Sequence, residues 1–286
     1  MKKSLFSALF LLASVFCSFP LPAIEFANFQ SRGYEGKGQG EFINPEDLLL
    51  GPNGDVVIAD FKNNRVQIFN NKGTFSRFIT LLPETPGVAS YLATLETLSS
   101  SDSNKFLPVV KRKVPEGRKN TRDDLPSIAS GTISMDRPVG LALDSKGRLL
   151  VSCSGSNQVL FFRYSDGAFL GVLGHQGRGQ GFFDIPMDVD VRSDGMIAVA
   201  ELGNKRVQIF DAEGKFLREI YYKEETAKKE LRALPARGVF WLSTGELLVS
   251  YPTFHQLVAW DVGGNVLWRF GVQGSSKGEL NEPSFM

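Results

Sequence analysis

Short apolar runs and turn-forming clusters alternate along this chain with a spacing that recurs. Within residues 36–79, the run 45–50 (PEDLLL) is closed by the turn 51–54 (GPNG), and a second run, 55–60 (DVVIAD), follows. The polar turn 61–64 leads into 65–69 (RVQIF), and 70–73 (NNKG) turns again before 74–79. This punctuation predicts four strands joined by tight turns. The second strands of the successive copies, DVVIAD, RLLVSC, MIAVAE and ELLVSY, are apolar at nearly every position. Such strands have both faces covered, whereas a sheet with one solvated face would alternate.

Residues 177–220 restate 36–79 without a gap. Gly38 falls on Gly179, Gly40 on Gly181, Phe42 on Phe183, Pro45 on Pro186, Arg65 on Arg206 and Phe69 on Phe210. Two looser copies keep the frame, one around Pro138, Gly147, Asn157 and Phe162, the other around Gly245, Gln256, Trp260 and Gly264. A period in the forties marks an array of like supersecondary units. Small antiparallel sheets, covered on both faces and repeated in tandem, fit blades packed around an axis.

The Gly-rich linker, F-x-x-P, the turn glycine, V-A-D and N-x-R-V-Q-I-F of residues 36–69, matched again in 177–210, resemble the NHL repeat proteins. The resemblance implies an all-β fold, a β-propeller of four-stranded antiparallel blades, usually six-bladed in that family. On this plan the clear repeats are 36–81, 135–174, 176–221 and 235–271, with a partial repeat at 272–286. The interval from Gly54 to Gly147 holds about one extra repeat, so 82–134 is either a degenerate blade or an insertion. Residues 24–35 read as a lone strand that completes a final blade, and the last blade looks incomplete, as a truncated chain would leave it. Residues 223–234 (KEETAKKELRAL) read as a short surface helix in place of a Gly-rich linker.

Lys2 and Lys3 precede an apolar stretch ended by Pro20 and Pro22, the layout of a secretory signal peptide over residues 1–23. The stretch is too short to span a bilayer, so an exported protein, periplasmic or extracellular, with no stable membrane span is expected. Loss of those two lysines moves the formal charge from +1 to −1, and this near-neutral balance calls for no nucleic acid. Cys153 is then the one remaining cysteine, which leaves no intramolecular disulfide.

Candidate chemistry is sparse. The Gly-x-Gly-x-Gly linkers run into a strand and not a helix N-terminus, so they read as interblade turns with positive φ, not phosphate cradles. Asp60 with Arg65 recurs as Glu201 with Arg206, while the other copies carry Cys153 with Gln158 and Tyr251 with Gln256. Acid and base are kept or lost together, which predicts a structural ion pair within each of the two blades that carry them, partly exposed and worth roughly 0–1 kcal/mol. His175 and His255 are the only histidines, too few for a His-rich zinc site. Asp47 and Asp188 share one position early in the first strand, where two carboxylates at a propeller mouth would hold a divalent cation such as calcium or a polar ligand. The alternative is that each accepts backbone N–H groups. Lys111, Arg112 and Lys113 lead a basic stretch that reads either as a solvated loop or as a docking segment for a protein or an anionic surface polymer. With no convergent catalytic set, the chain reads as a non-enzymatic exported scaffold; a metal-assisted hydrolase or lyase sited in the funnel is the alternative.

Overall fold

In the computed structural model, residues 34–81, 133–225 and 231–283 are described. Packing divides the chain into Met1–Arg32 and Gly33–Met286, and the architecture below belongs to the second unit. After the small parallel pair β1 (Tyr34–Glu35) and β2 (Glu41–Phe42), four meanders follow. The first blade is β3 (Pro45–Leu50), β4 (Val56–Asp60), β5 (Arg65–Phe69) and β6 (Phe75–Ile79). The second is β7 (Pro138–Leu143), β8 (Arg148–Cys153), β9 (Gln158–Arg163) and β10 (Phe169–Leu173), and the third is β11 (Pro186–Val191), β12 (Ile197–Glu201), β13 (Arg206–Phe210) and β14 (Phe216–Ile220). A hairpin, β15 (Lys223–Glu225) with β16 (Leu231–Ala233), precedes the fourth: β17 (Gly238–Trp241), β18 (Leu247–Tyr251), β19 (Gln256–Trp260) and β20 (Val266–Phe270). The described residues therefore form a β-propeller arc of four four-stranded antiparallel blades, and six blades are not seen.

The turn chemistry explains the close agreement with the predicted strands. Asn70, Asp211 and Asp261 each accept a backbone N–H four residues on, and Asn70 and Asp211 also accept one two residues on. This self-capping places glycine at φ 71°, 81° and 84° in Gly73, Gly214 and Gly264.

Successive blades share three apolar cores. The first holds Val57, Val66 and Ile68 against Leu141, Leu149 and Phe162. Leu150 and Val159 meet Ile197, Val199 and Phe210 in the next, and Val207 and Ile209 meet Val239, Val249 and Val258 in the last. The first and second blades touch directly, β3 beside β7, so no sheet stands between them in the arc. The segment 82–134, read as a degenerate blade or an insertion, falls almost wholly outside the described residues. The strand predicted at 24–35 does so too, except for Tyr34–Glu35.

The helix expected at 223–234 is instead the β15–β16 hairpin, with Lys223 opposite Ala233 and Glu225 opposite Leu231. Its two ends are fixed side by side: Tyr222 and Leu234 are both buried in the third core, and Leu234 N–H donates to the Tyr222 carbonyl. A helix this short is marginal by itself, and tertiary anchoring overrides its propensity. The linker glycines meet the expectation of positive φ only in part. Gly40 and Gly181 have φ of 73° and 79°, whereas Gly36 and Gly38 lie against the Glu41 side chain, which leaves little room for a Cβ.

Candidate functional site

Two sets of charged residues invite a functional reading, and the fold explains each. Asp60 ends β4 and Arg65 opens β5, paired across a turn whose Asn64 has φ 53°. Arg65 Nε meets Asp60 Oδ2 at 2.8 Å, with side chains 9% and 0% exposed. The pair is thus buried and not partly exposed, because the linker covers it. Arg65 Nη1 donates to the Lys37 carbonyl, and Nη2 donates to those of Gly38 and Glu41. Asp60 accepts the Ile43 N–H, and Asn63 bridges Asp60 to the Gly36 carbonyl. Glu201 and Arg206 repeat the arrangement at 2.6 Å, with Arg206 on the carbonyls of Arg178, Gly179 and Phe182 and Asn204 on that of Gly177. Burial pushes the Glu201 carboxyl up, against the opposing pull of Arg206. Where the pair is absent, neutral partners replace it: Gln158 accepts the Ser134 N–H, and Gln256 accepts the Tyr222 hydroxyl. These pairs fasten linker to blade, and no face of them is open to a substrate.

The second set lines the inner strands. A register irregularity at the start of β3 and of β11 aims Asp47 and Asp188 toward the neighbouring blade. Asp47 accepts the N–H of Leu48 and, from the second blade, that of Leu141 at 2.7 Å. Asp188 accepts the N–H of Val189 and, from the fourth blade, that of Val239 at 2.8 Å. Asp190 does likewise with Val191 and Trp241. Gly140 lies so close to Asp188 that a Cβ there would sit 2.7 Å from the Asp188 Cα. In the second and fourth blades a serine takes over, with Gly140 N–H donating to Ser152 Oγ and Gly238 N–H to Ser250 Oγ.

Burial pushes Asp47 and Asp190 up to about 6, partly offset by these N–H donors. Asp188 rises well above the usual carboxylate range, first from burial and then from the charge of Asp47. The charge of Asp47 thus reaches Asp188, and each of the four oxygens of these two sequence-predicted carboxylates already accepts a backbone N–H. Asp190 was not singled out by the repeat comparison, although Asp at two alternate positions of one strand shares a face. Among the described residues no group of three or more His, Cys, Asp or Glu converges as a metal set. Across the axis Glu46 of β3 approaches Arg237 at 3.9 Å.

The remaining candidates do not join this set. His175 lies beside Phe182 in a linker, where burial lowers its pKa, and His255 Nδ1 accepts the Glu282 N–H. Cys153 is wholly buried, and burial pushes its thiol up, as in an inert core thiol. Lys111, Arg112 and Lys113 lie outside the described residues.

The NHL repeat family model matches residues 42–69. NHL repeat-containing protein 3 of Homo sapiens is 33% identical over 81 residues, covering 28% of this chain and 23% of that protein. Tripartite motif-containing protein 2 of Homo sapiens is 47% identical over 47 residues, which is 16% of this chain and 6% of the relative. The chain thus aligns with less than a quarter of the length of these curated relatives. Among solved structures, that of U3-55K matches with a TM-score of 0.52 at 13% identity, over 80% of this chain and 53% of that one. This likeness is one of fold.

Proposed function

We propose that this chain, a β-propeller arc whose residues 42–69 match the NHL repeat, works as an exported, non-enzymatic scaffold that binds a protein or a surface polymer. The observation that carries the reading is the engagement of Asp47, Asp188 and Asp190 with backbone N–H groups of adjacent blades. The residues placed best for chemistry are used to hold the arc together. What remains for function is the broad surface of turns and linkers, the usual binding surface of repeat folds. Export rests on the signal-peptide pattern of residues 1–23, and among the described residues no helix is long and apolar enough to cross a membrane.

A six-bladed plan is supported by two features. β17 and β3 do not pack together as consecutive inner strands do. The residues after the fourth blade also repeat the linker geometry, with Gln273 bridging Leu280 as Gln176 bridges Phe183.

The scaffold reading is tested by cross-linking the intact protein in the exported fraction and identifying its neighbours. A saturable partner, competed by unlabelled protein, is expected; turnover of a substrate without a stable partner would sink the reading. A metal-assisted hydrolase or lyase is the second reading, favoured by the charge of Asp47 acting on Asp188. A divalent cation between them would relieve that repulsion.

A further inference from the structure

The residue before the third strand of every blade has left-handed backbone: Asn64 at φ 53°, Asn157 at 57°, Lys205 at 56° and His255 at 54°. Two of these side chains receive the entry of the next blade. Asn64 Oδ1 accepts the Arg137 N–H at 2.9 Å, and Asn157 Oδ1 accepts that of Ile185 at 2.7 Å. Both donors stand directly before a proline and are left-handed themselves, at φ 54° and 53°. Non-glycine residues adopt that backbone only under restraint, and a following proline restricts them further. An amide oxygen from the neighbouring blade supplies part of the restraint. Lys205 has no acceptor to offer, and the fourth blade is entered differently: Gly238 follows Arg237, whose N–H donates to the Ser250 carbonyl.

In the fourth blade the same place is filled by an imidazole. Glu282 stands before Pro283 at φ 48°, and its N–H donates to His255 Nδ1 at 3.0 Å. The linker also packs here, with Gly271 against the His255 carbonyl and the Leu280 side chain. This contact is the third of its kind, with a ring nitrogen in place of an amide oxygen. The amide oxygen accepts at any pH between 5 and 8, where histidine changes charge. The ring nitrogen accepts only while unprotonated, because imidazolium carries N–H donors on both nitrogens. Protonation therefore sets donor against donor.

The turn 252–255 and β19 carry no other charged residue. On the elements packed against them, the ionisable groups among the described residues are Tyr251 of β18, Arg269 of β20, and Lys277, Glu279 and Glu282 of the linker. Arg269 donates to the Tyr222 hydroxyl, and Glu279 accepts the Ser276 N–H. Carboxyl, phenol, ammonium and guanidinium groups ordinarily change charge outside the histidine range.

We propose that His255 is a proton-operated clasp, which holds the entry segment 281–283 on the fourth blade while its ring is neutral and releases that segment when the ring is protonated. Asn64 and Asn157 make the corresponding joins insensitive to pH, so this join alone of the three responds. The clasp is independent of the scaffold role, since it concerns how the chain is held and not what it binds.

The test follows the full chain by NMR from pH 8 to pH 5. The Glu282 amide should shift with the same midpoint as the His255 ring protons, and the heteronuclear NOE of Asn281 and Glu282 should fall across that transition. The Arg137 amide, held by Asn64, should show no transition at that midpoint. His255→Asn restores the acceptor used in the first two blades, on a residue suited to left-handed backbone, and should keep the Glu282 amide and both NOEs constant. The axial carboxylates of Asp47, Asp188 and Asp190 are raised toward the same range, but they lie on β3 and β11 and are unaltered in that variant. A Glu282 amide that does not titrate, one that titrates equally in His255→Asn, or residues 281–282 as rigid at pH 5 as at pH 8 would each overturn the proposal.

Discussion

Arg65 closes a 2.8 Å ion pair with Asp60 while its two terminal nitrogens hold three carbonyls of the preceding linker. One side chain thus fastens the chain's path into the blade as well as the turn between β4 and β5. Removing one partner leaves a buried charge uncompensated, so Asp60→Ala or Arg65→Ala should each cost about 3–5 kcal/mol in urea unfolding. The double variant should lose at least about 1 kcal/mol less than the sum of the two. Strict additivity would count against a direct pair.

The inner carboxylates set a pH dependence whose sign follows from linkage. Burial holds Asp47 and Asp190 at about 6 in the folded state, against about 3.9 in an unfolded chain. Between those values the folded state binds protons that the unfolded state has released, so this contribution to stability is full below about pH 4 and is lost as pH rises through about 6. Asp47→Asn and Asp190→Asn should each flatten the fall in unfolding free energy across that window. An unchanged slope in both variants would show that these carboxylates titrate normally.

Phe69 and Phe210 occupy one repeat position in two environments. Phe210 is fully buried between the second and third blades, whereas Phe69, on the outward face of the first, is half-buried between Phe42 and Phe75. Phe210→Ala should cost about 3–5 kcal/mol, and Phe69→Ala about half as much. Equal losses, measured by chemical denaturation, would mean that something covers the first blade's outward face in solution.

Much of the fold was legible because turn glycines and unbroken apolar runs mark strand ends directly, as at Gly54 and 55–60. The ion pairs were legible because acid and base are kept or lost together across the four copies. Their burial was not, since the groups that cover Arg65 are backbone carbonyls, which every residue has and no side chain advertises. Asp190 escaped for another reason: its counterpart in the first blade is Leu49, so a search for recurring residues passes over it. The β15–β16 hairpin was hidden by local helix propensity, overridden by the buried Tyr222 and Leu234 at its ends.

The claim that the axial carboxylates clamp blades together, and do not hold a catalytic ion, is tested most directly by thermal unfolding of the protein in chelator and in millimolar calcium. The account predicts one midpoint in both conditions, lowered equally in both by Asp47→Ala with Asp188→Ala, through loss of the bonds to Leu141 and Val239. A midpoint raised by calcium in the parent protein, with the rise abolished in the double variant, would contradict it and establish a metal site at the propeller axis.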